Sequence, residues 1–369
     1  SVIDSVVSTI SHDTRLHEYF KYGGCSYWQI FRYFFTVLCE QNLKNSLIAS
    51  PYLTINLRTI SQKNKNATVL IGGLTDINKL VINICRDFGI KSTSIHYGSG
   101  SGFLIMPMYE RYDLLGADYF VCGGSLSVKT LSQPIKETLI NPTLPRAKPV
   151  SLGLPWTDNL FSKTKSQNII TKKPKILVIA SECFGDNRYL GYLFPPDNAL
   201  FKTNVLMIKR LSKLLDFQFH VKPKLNDNFN GILNPIYKYI NEQKHRNIIL
   251  IKNNIDVKEI ILDYDGIIMS YPGTPMQYAL PANIPSLILS EKLYYKMPQL
   301  VLKNTKDIFD IHLDFQSFLD NIPFFCKKTI AYNPNLENIK KIQKNFINSH
   351  IKQSSSNDKI ANFLISHLD

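Results

Sequence analysis

The residues best suited to chemistry lie in one short turn, Ser270 to Thr274, in the last third of the chain. An apolar run before it, Gly266 to Met269, predicts a strand. Thr274 and Pro275 predict a helix after it, as N-cap and first helical residue. Such a turn aims backbone N–H groups and the positive end of a helix dipole at one point, which can hold a phosphate without a basic side chain. Ser270, Gly273 and Thr274 are therefore candidate phosphate ligands, although an ordinary βα connection has the same pattern.

Charged residues follow two other predicted strands of the second half of the chain. Lys222 and Lys224 come after the strand 218–221, on either side of a proline, and two cations there can neutralise a phosphate or a sugar carboxylate. Glu182 comes shortly after the strand 175–180 and has the chemistry of a general base or a nucleophile. A solvated lysine pair and a helix-capping glutamate are the structural alternatives.

A histidine marks the end of a strand in the first half. His96 follows the predicted strand 92–95 and opens a loop that contains Gly98, Ser99 and Gly100. The glycines permit close approach of the backbone to a ligand, and an imidazole at that position can take a proton from a hydroxyl group near neutral pH. The alternative is a histidine that is hydrogen-bonded within its own glycine turn.

Motifs for metal and nucleophilic chemistry are missing from the sequence. It has no GxSxG elbow, HExxH pair or Walker lysine, and its eight histidines are spread too thinly for a metal cluster. We therefore expect no metal site and no tightly bound cofactor, while a divalent cation held only by a substrate diphosphate stays open. Six cysteines without CxxC pairs indicate reduced thiols and a cytoplasmic protein.

Strands and helices must bring these residues together, and the chain has two series of them. Strands that alternate with helices predict parallel sheets covered on both faces, which bind ligands at the carboxyl ends of their strands. The predicted strands are 68–72, 92–95, 117–122 and 149–154 in the first series, and 175–180, 218–221, 247–251, 266–269 and 286–289 in the second.

The two series predict an α/β fold with two Rossmann-like domains that face each other across a cleft. A polar, lysine-rich stretch between the two series indicates a linker. The predicted boundaries are 1–160 for the first domain with 1–60 as a helical lead-in, 161–174 for the linker, 175–345 for the second domain, and 346–369 for a helical tail that crosses back.

The charge of the chain is strongly positive. The formal net charge is +14, and lysines cluster at 172–175, 327–328 and 340–341. An anionic membrane surface and acidic substrates are candidate partners, whereas no nucleic-acid-binding motif is present. A lysine-rich genome without functional meaning is an equal alternative. The aromatic segment 27–38 could contact a membrane surface or an acceptor, but its few polar positions favour a core helix.

Taken together, these segments resemble the GT-B-fold glycosyltransferases and polymerases of bacterial surface polysaccharides, which make capsule, lipopolysaccharide and teichoic acid. Each matching motif is short, so their common order and spacing are more specific than any one of them. The matching segments are 67–71, 89–98, 116–122, 152–158, 221–225, 265–274 and 279–289.

The resemblance implies transfer of a sugar from a nucleotide-sugar donor, for example a CMP-linked Kdo or sialic acid, to a glycan or lipid-linked glycan acceptor. It also implies a cytoplasmic enzyme with peripheral contact to the anionic inner membrane, no nucleic-acid partner and no required metal. Three alternatives stay open: a glycerol- or ribitol-phosphate transferase of the teichoic-acid type, a UDP-sugar 2-epimerase-like enzyme, and a non-catalytic glycan-binding module.

The resemblance also assigns sides to the candidate residues. It implies that the first domain holds the acceptor, with His96 as the base, and that the second domain holds the donor. The chain departs from the family at one motif, where Lys224-Leu225 stands in place of the usual His-Pro, so the class of donor is left open. The donor-side residues that it implies are Lys222, Lys224, Ser270, Gly273 and Thr274.

Overall fold

The computed structural model of the protein describes fifteen ranges of the chain, here called the described residues. They form two compact units that are divided between Ser92 and Thr93. The described residues are 49–63, 67–72, 76–95, 102–104, 114–133, 145–162, 173–181, 197–223, 228–229, 232–233, 235–251, 255–292, 294–332, 335–347 and 355–366.

The first unit is a small α/β layer. Residues 49–63 are helical, and strand β1 (Thr68–Gly72), helix α1 (Asp76–Asp87) and the start of strand β2 (Lys91–Ile95) follow. Leu57 of the first helix packs with Ile84, Cys85 and Ile90 in one buried cluster. The predicted strand 68–72 is therefore formed.

The second unit begins with the rest of the first sheet. This sheet has four strands in the order β1-β2-β3-β4, and the pairs β2–β3 and β3–β4 are parallel. Its further elements are β3 (Tyr119–Cys122), α2 (Ser125–Leu131), β4 (Lys148–Ser151) and α3 (Pro155–Ser162). Helix α3 ends at Ser162, so it overlaps the first two residues of the predicted linker 161–174, and its residues Thr157 and Leu160 are buried.

The second sheet has six parallel strands in the order β12-β11-β10-β5-β6-β9. This is the strand order of a doubly wound Rossmann sheet, whose direction of winding reverses between β5 and β10. A two-stranded antiparallel ribbon, β7–β8, follows β6 along the chain. The strands are β5 (Lys175–Ala180), β6 (Gln218–Pro223), β7 (Asn228–Phe229), β8 (Ile232–Leu233), β9 (Ile248–Leu250), β10 (Gly266–Met269), β11 (Ser286–Leu289) and β12 (Phe309–His312).

Helices cover both faces of the second sheet. One face packs against α4 (Asp197–Leu211), α5 (Pro235–Gln243) and α9 (Phe315–Ile330), in a cluster with alternate residues of the strands. The other face packs against α6 (Val257–Ile260), α7 (Thr274–Ala282), α8 (Gln299–Thr305) and α10 (Leu336–Phe346). The central strands β5, β10 and β11 are buried on both faces, as their apolar sequences predict.

The C-terminal helices contact elements of the first sheet. The C-terminus of α10 meets the turn between β3 and α2, where the Ser127 hydroxyl donates to the Phe346 carbonyl at 2.8 Å. The ring of Phe346 also stacks on Phe103 with 5.0 Å between centroids. Helix α11 (Ser356–Ile365) is held at its start by Asp158 of α3, whose carboxylate accepts from the Ser356 N–H and hydroxyl, both at 2.8 Å.

Candidate functional site

The carboxyl ends of β5 and β10 meet at the point where the second sheet reverses its winding. In open α/β sheets ligands bind at this point. The Ser270 hydroxyl lies just beyond β10, accepts from the Ser181 N–H at 2.7 Å, and donates to the Ile179 carbonyl at 3.3 Å. Ser270 is only 4% exposed, so its side chain joins the two strand ends and is poorly placed to contact a phosphate directly.

A buried asparagine completes this junction. Asn204, on α4, donates its amide N–H to the Ser181 carbonyl at 3.0 Å. Its Oδ1 accepts from the Ser181 N–H at 3.3 Å and from the Ser181 hydroxyl at 3.2 Å. Because Ser181 is the residue before Glu182, this network fixes the backbone that leads into the predicted catalytic glutamate.

Helix α7 begins immediately above the junction, one residue away from the predicted start. Gly273 is the N-cap and Thr274 the first helical residue, because Gly273 has the extended backbone (φ −170°) of a cap residue. The predicted N-cap role of Thr274 is therefore wrong. A glycine cap has no side chain to accept from the helix, and no described side chain caps it. The start of α7 thus keeps backbone donors for another partner.

Lys222 lies on the same face of the sheet as α7. The parallel register places Met269, Ile179 and Lys222 in one row across the carboxyl ends of β10, β5 and β6. Lys222 is buried, at 8% exposure. Burial lowers the pKa of its ammonium group, and the nearby Asp256 carboxylate partly offsets this shift. A buried cation beside a helix start favours binding of an anion.

The Asp256 carboxylate lies near both Lys222 and Tyr278. Asp256 caps α6, with its carboxylate accepting from the Lys258 N–H. Burial, with a smaller contribution from Asp256, raises the pKa of Tyr278 to about 12, so the phenol stays protonated and can donate a hydrogen bond. Tyr278 is one turn beyond Thr274 on α7, and both side chains are partly exposed.

Two buried polar atoms near the same strand ends have no hydrogen-bond partner within the described part of the chain. They are Nε2 of Gln277, in the first turns of α7, and Oγ of Ser290, which follows β11. Oε1 of Gln277 accepts from the Trp156 indole of α3 at 3.3 Å. Buried donors without partners are costly and are more frequent at binding sites than in ordinary cores.

Several predicted residues lie outside the described residues. His96 is the residue after β2, and Glu182 comes two residues after β5. Their roles, and those of the other residues in this group, stay predictions. The group consists of His96, Gly98, Ser99, Gly100, Glu182 and Lys224.

The first sheet has a similar turn, but the protein itself fills it. Gly123 and Gly124 follow β3 and lead into α2, which resembles a glycine-rich phosphate turn. A Cβ on Gly123 would lie 2.0 Å from the Phe346 carbonyl oxygen, and one on Gly124 would lie 2.1 Å from that of Asn345. The carbonyl end of α10 therefore occupies this turn, which leaves the start of α7 as the candidate of the two for binding a phosphate.

No group of three His, Cys, Asp or Glu side chains suited to a metal ion occurs among the residues that the structure describes. Within the same residues, no helix is long and apolar enough to cross a membrane.

Sequence reasoning missed the roles of Asn204, Asp256 and Gln277. Asn204 begins the segment 204–215, whose pattern predicts a helix, and nothing in the sequence shows that its side chain reaches Ser181. Asp256 carried a detectable signal, since an aspartate before Val257 and Glu259 has the pattern of a helix cap. Gln277 falls on the first turns of the predicted helix, but nothing in the sequence shows that it is buried.

Comparison with known proteins supports the fold. No protein-family model matches the chain, and no curated protein matches it. UDP-GlcNAc 2-epimerase from Neisseria meningitidis, solved with bound UDP-GlcNAc, is similar over 86% of this chain and 81% of its own, with 16% identity and a TM-score of 0.51. A putative UDP-N-acetylglucosamine 2-epimerase from Listeria monocytogenes covers 87% and 78%, with 9% identity and a TM-score of 0.50.

A spinosyn rhamnosyltransferase solved with the spinosyn aglycone is similar over 83% of this chain and 76% of its own, with 12% identity. Its TM-score of 0.43 is too low to assign a fold. The two epimerase structures are sufficient for that purpose. The predicted α/β class with two Rossmann-like domains of the GT-B type is confirmed.

Proposed function

We propose that the protein is a nucleotide-sugar enzyme and that the start of α7 holds the phosphates of the donor. The observation that carries this proposal is an uncapped helix start beside a buried lysine, at the point where a Rossmann-ordered sheet reverses. The N–H groups of Gly273 and Thr274 bind the phosphates, and Lys222, together with Lys224, neutralises their charge.

The reaction that we propose is transfer of the sugar to a glycan or lipid-linked glycan acceptor during synthesis of a bacterial surface polysaccharide. His96 is the candidate base for the acceptor hydroxyl, and Glu182 is the second candidate. Fixed dipoles at α7 stabilise the leaving nucleotide, so a metal is not required. The positive charge of +14 favours an acidic sugar such as a CMP-linked ulosonic acid, or an anionic acceptor, and peripheral contact with an anionic membrane.

A UDP-sugar 2-epimerase is the second candidate, and the fold accommodates it equally well. Both structures described above with a TM-score of at least 0.50 are named as UDP-N-acetylglucosamine 2-epimerases. A polymerase of glycerol or ribitol phosphate and a non-catalytic glycan-binding module also use related scaffolds.

Incubation with UDP-, CMP- and CDP-linked donors, with and without an acceptor glycan, separates these activities. A transferase releases the nucleotide in an acceptor-dependent reaction, and a polymerase releases CMP from a CDP-polyol. An epimerase converts a UDP-sugar to its 2-epimer without an acceptor. A binding module releases nothing and converts nothing, and that result would overturn the proposal.

His96→Ala is expected to reduce turnover by about 100-fold or more while leaving the affinity for the nucleotide nearly unchanged, because a general base acts on the acceptor and not on the donor. Steady-state rates and nucleotide calorimetry measure the two quantities. His245→Ala is the matched control, since His245 lies after α5, near the amino ends of the strands of the second sheet. A turnover equal to that of the unchanged protein removes His96 from this role.

The affinity for nucleotide is expected to fall as the pH rises through the lowered pKa of Lys222, below the range of an ordinary lysine. The nucleotide phosphates are already ionised there, so the change reports loss of the ammonium charge. Lys222→Arg keeps its charge and removes this fall, whereas Lys222→Gln binds about tenfold more weakly below the pKa of Lys222 and shows no fall above it. Identical pH profiles for the three proteins would exclude Lys222 from the phosphate site.

A further inference from the structure

Two helix ends lie side by side on the face of the second sheet that is turned away from α7. Helices α4 and α9 pack in the same buried cluster. The end of α4 lies near the start of β9, because the Asn247 side chain donates to the Leu211 carbonyl at 3.1 Å. The second half of α9 covers the start of β10, where a Cβ on Gly266 would meet Thr329 at 2.6 Å. Both helices therefore end at the amino ends of the strands.

The end of α9 exposes an aromatic ring next to two lysines. Phe324 is 64% exposed, although it lies on a helix whose other aromatic residues are largely buried. Lys327 and Lys328 are also exposed, and they lie three and four residues beyond Phe324, which places all three side chains on one face of the helix.

The end of α4 adds a second set of the same kind. Lys209 and Lys213 are exposed and are four residues apart. Leu215, just after them, is 59% exposed. No ion pair joins these lysines to another described side chain, although Lys328 lies near enough to Asp310 to contribute to that carboxyl's lowered pKa.

We propose that these two helix ends, which we call the α4–α9 patch, dock on an anionic lipid surface. An exposed ring and a leucine can enter the boundary between headgroups and acyl chains, while flanking lysines keep their ammonium groups at the lipid phosphates. Lysine acts as a point charge, which suits a diffuse anionic surface better than a single planar ligand. Within the segments 209–216 and 320–328, the exposed acidic residues are Asp216 and Asp320, and the four lysines outnumber them two to one.

The patch is independent of the proposed nucleotide site. That site lies at the carboxyl ends of the strands, and the α4–α9 patch lies at their amino ends. Docking through the patch leaves the start of α7 open to substrate. Variants in the patch are therefore expected to bind nucleotide as the unchanged protein does, so failure of one proposal can be recognised separately from failure of the other.

Sedimentation with vesicles tests the patch in the full chain. We expect binding to vesicles of phosphatidylcholine mixed with phosphatidylglycerol, little binding to pure phosphatidylcholine, and weakening by added salt. Lys327→Gln with Lys328→Gln is expected to weaken binding to the anionic vesicles by about tenfold to 30-fold. Phe324→Ser is expected to weaken binding to the anionic vesicles as well, while the salt dependence of binding stays that of the unchanged protein.

Lys303→Gln with Lys306→Gln is the matched control, because both lysines are exposed at α8, on the opposite face of the sheet. The control removes the same charge but lies outside the patch. Its binding to anionic vesicles is therefore expected to stay within about twofold of that of the unchanged protein. Equal losses in the control and the patch variants would overturn the proposal, as would equal binding to neutral vesicles. Binding to a single-stranded oligonucleotide without binding to vesicles would assign the patch to nucleic acid instead.

Discussion

Thr274→Asp is expected to weaken nucleotide binding by about 100-fold or more, while the melting temperature stays the same or rises slightly. Thr274 is the first residue of α7, next to the uncapped start. A carboxylate there is attracted by the positive end of the helix dipole, which favours folding by about 0.3–1 kcal/mol. The same carboxylate repels a phosphate within a few ångströms by about 2–4 kcal/mol. Weaker nucleotide binding together with unchanged or higher stability would identify an anion site.

Asn338→Asp is the matched control for this change. Asn338 is exposed in the first turn of α10, so the substitution also adds one carboxylate to a helix start. That helix start follows the end of α9, at the other end of the sheet from the proposed site. The control is expected to change nucleotide affinity, measured by calorimetry, by less than about twofold. Equal losses in both proteins would indicate a long-range charge effect, and unchanged binding by Thr274→Asp would place the donor elsewhere.

Gly124→Ala is expected to destabilise the protein by about 3 kcal/mol or more, which is a large effect for a single methyl group. The backbone of Gly124 (φ −100°, ψ −176°) is accessible to every residue, so conformation does not require glycine. Lack of space requires glycine, because the added carbon would lie 2.1 Å from the Asn345 carbonyl oxygen and 2.5 Å from the Lys344 carbonyl oxygen. Because both obstacles are backbone atoms, the end of α10 must move away from the first sheet.

Gly72→Ala serves as the control, since no atom lies within 4 Å of its Cβ position. This variant is expected to be neutral or slightly stabilising, by up to about 1 kcal/mol. Denaturant unfolding measures both changes. Gly124→Ala should also expose residues of α10 to proteolysis, which a general loss of stability spread over the chain would not do selectively. Equal stability of the two variants would contradict this prediction, because it would show that the end of α10 moves aside for the added methyl group without a loss in the free energy of unfolding.

The periodicity of the sequence was sufficient to predict the architecture. Buried strands such as 175–180 and 266–269 are apolar on both faces, and only the interior of a parallel sheet requires that pattern. Strand ends were less certain. The predicted strand 149–154 stops at Ser151, because Gly153 adopts a positive φ of 91° and donates back to the Cys122 carbonyl.

The candidate site was only partly predictable. The pattern at Ser270 to Thr274 predicted a turn between a strand and a helix, and the structure forms both, since the residue types that begin helices are local signals. It did not show that the Ser270 hydroxyl is used by the end of β5, because that contact joins residues 89 positions apart. Likewise, Gly123 and Gly124 look like a ligand turn in sequence, and only the packing of α10 shows that they are not.

The contact between Ser127 and Phe346 joins residues 219 positions apart. During translation, the turn after β3 therefore leaves the ribosome long before the carbonyl groups that fill it have been made. A nascent chain that ends before α10 has an open glycine turn and an uncovered Phe103. The first sheet can complete its packing only after α10 has emerged, and a chain that stops before α10 leaves Gly123, Gly124 and Phe103 without these contacts.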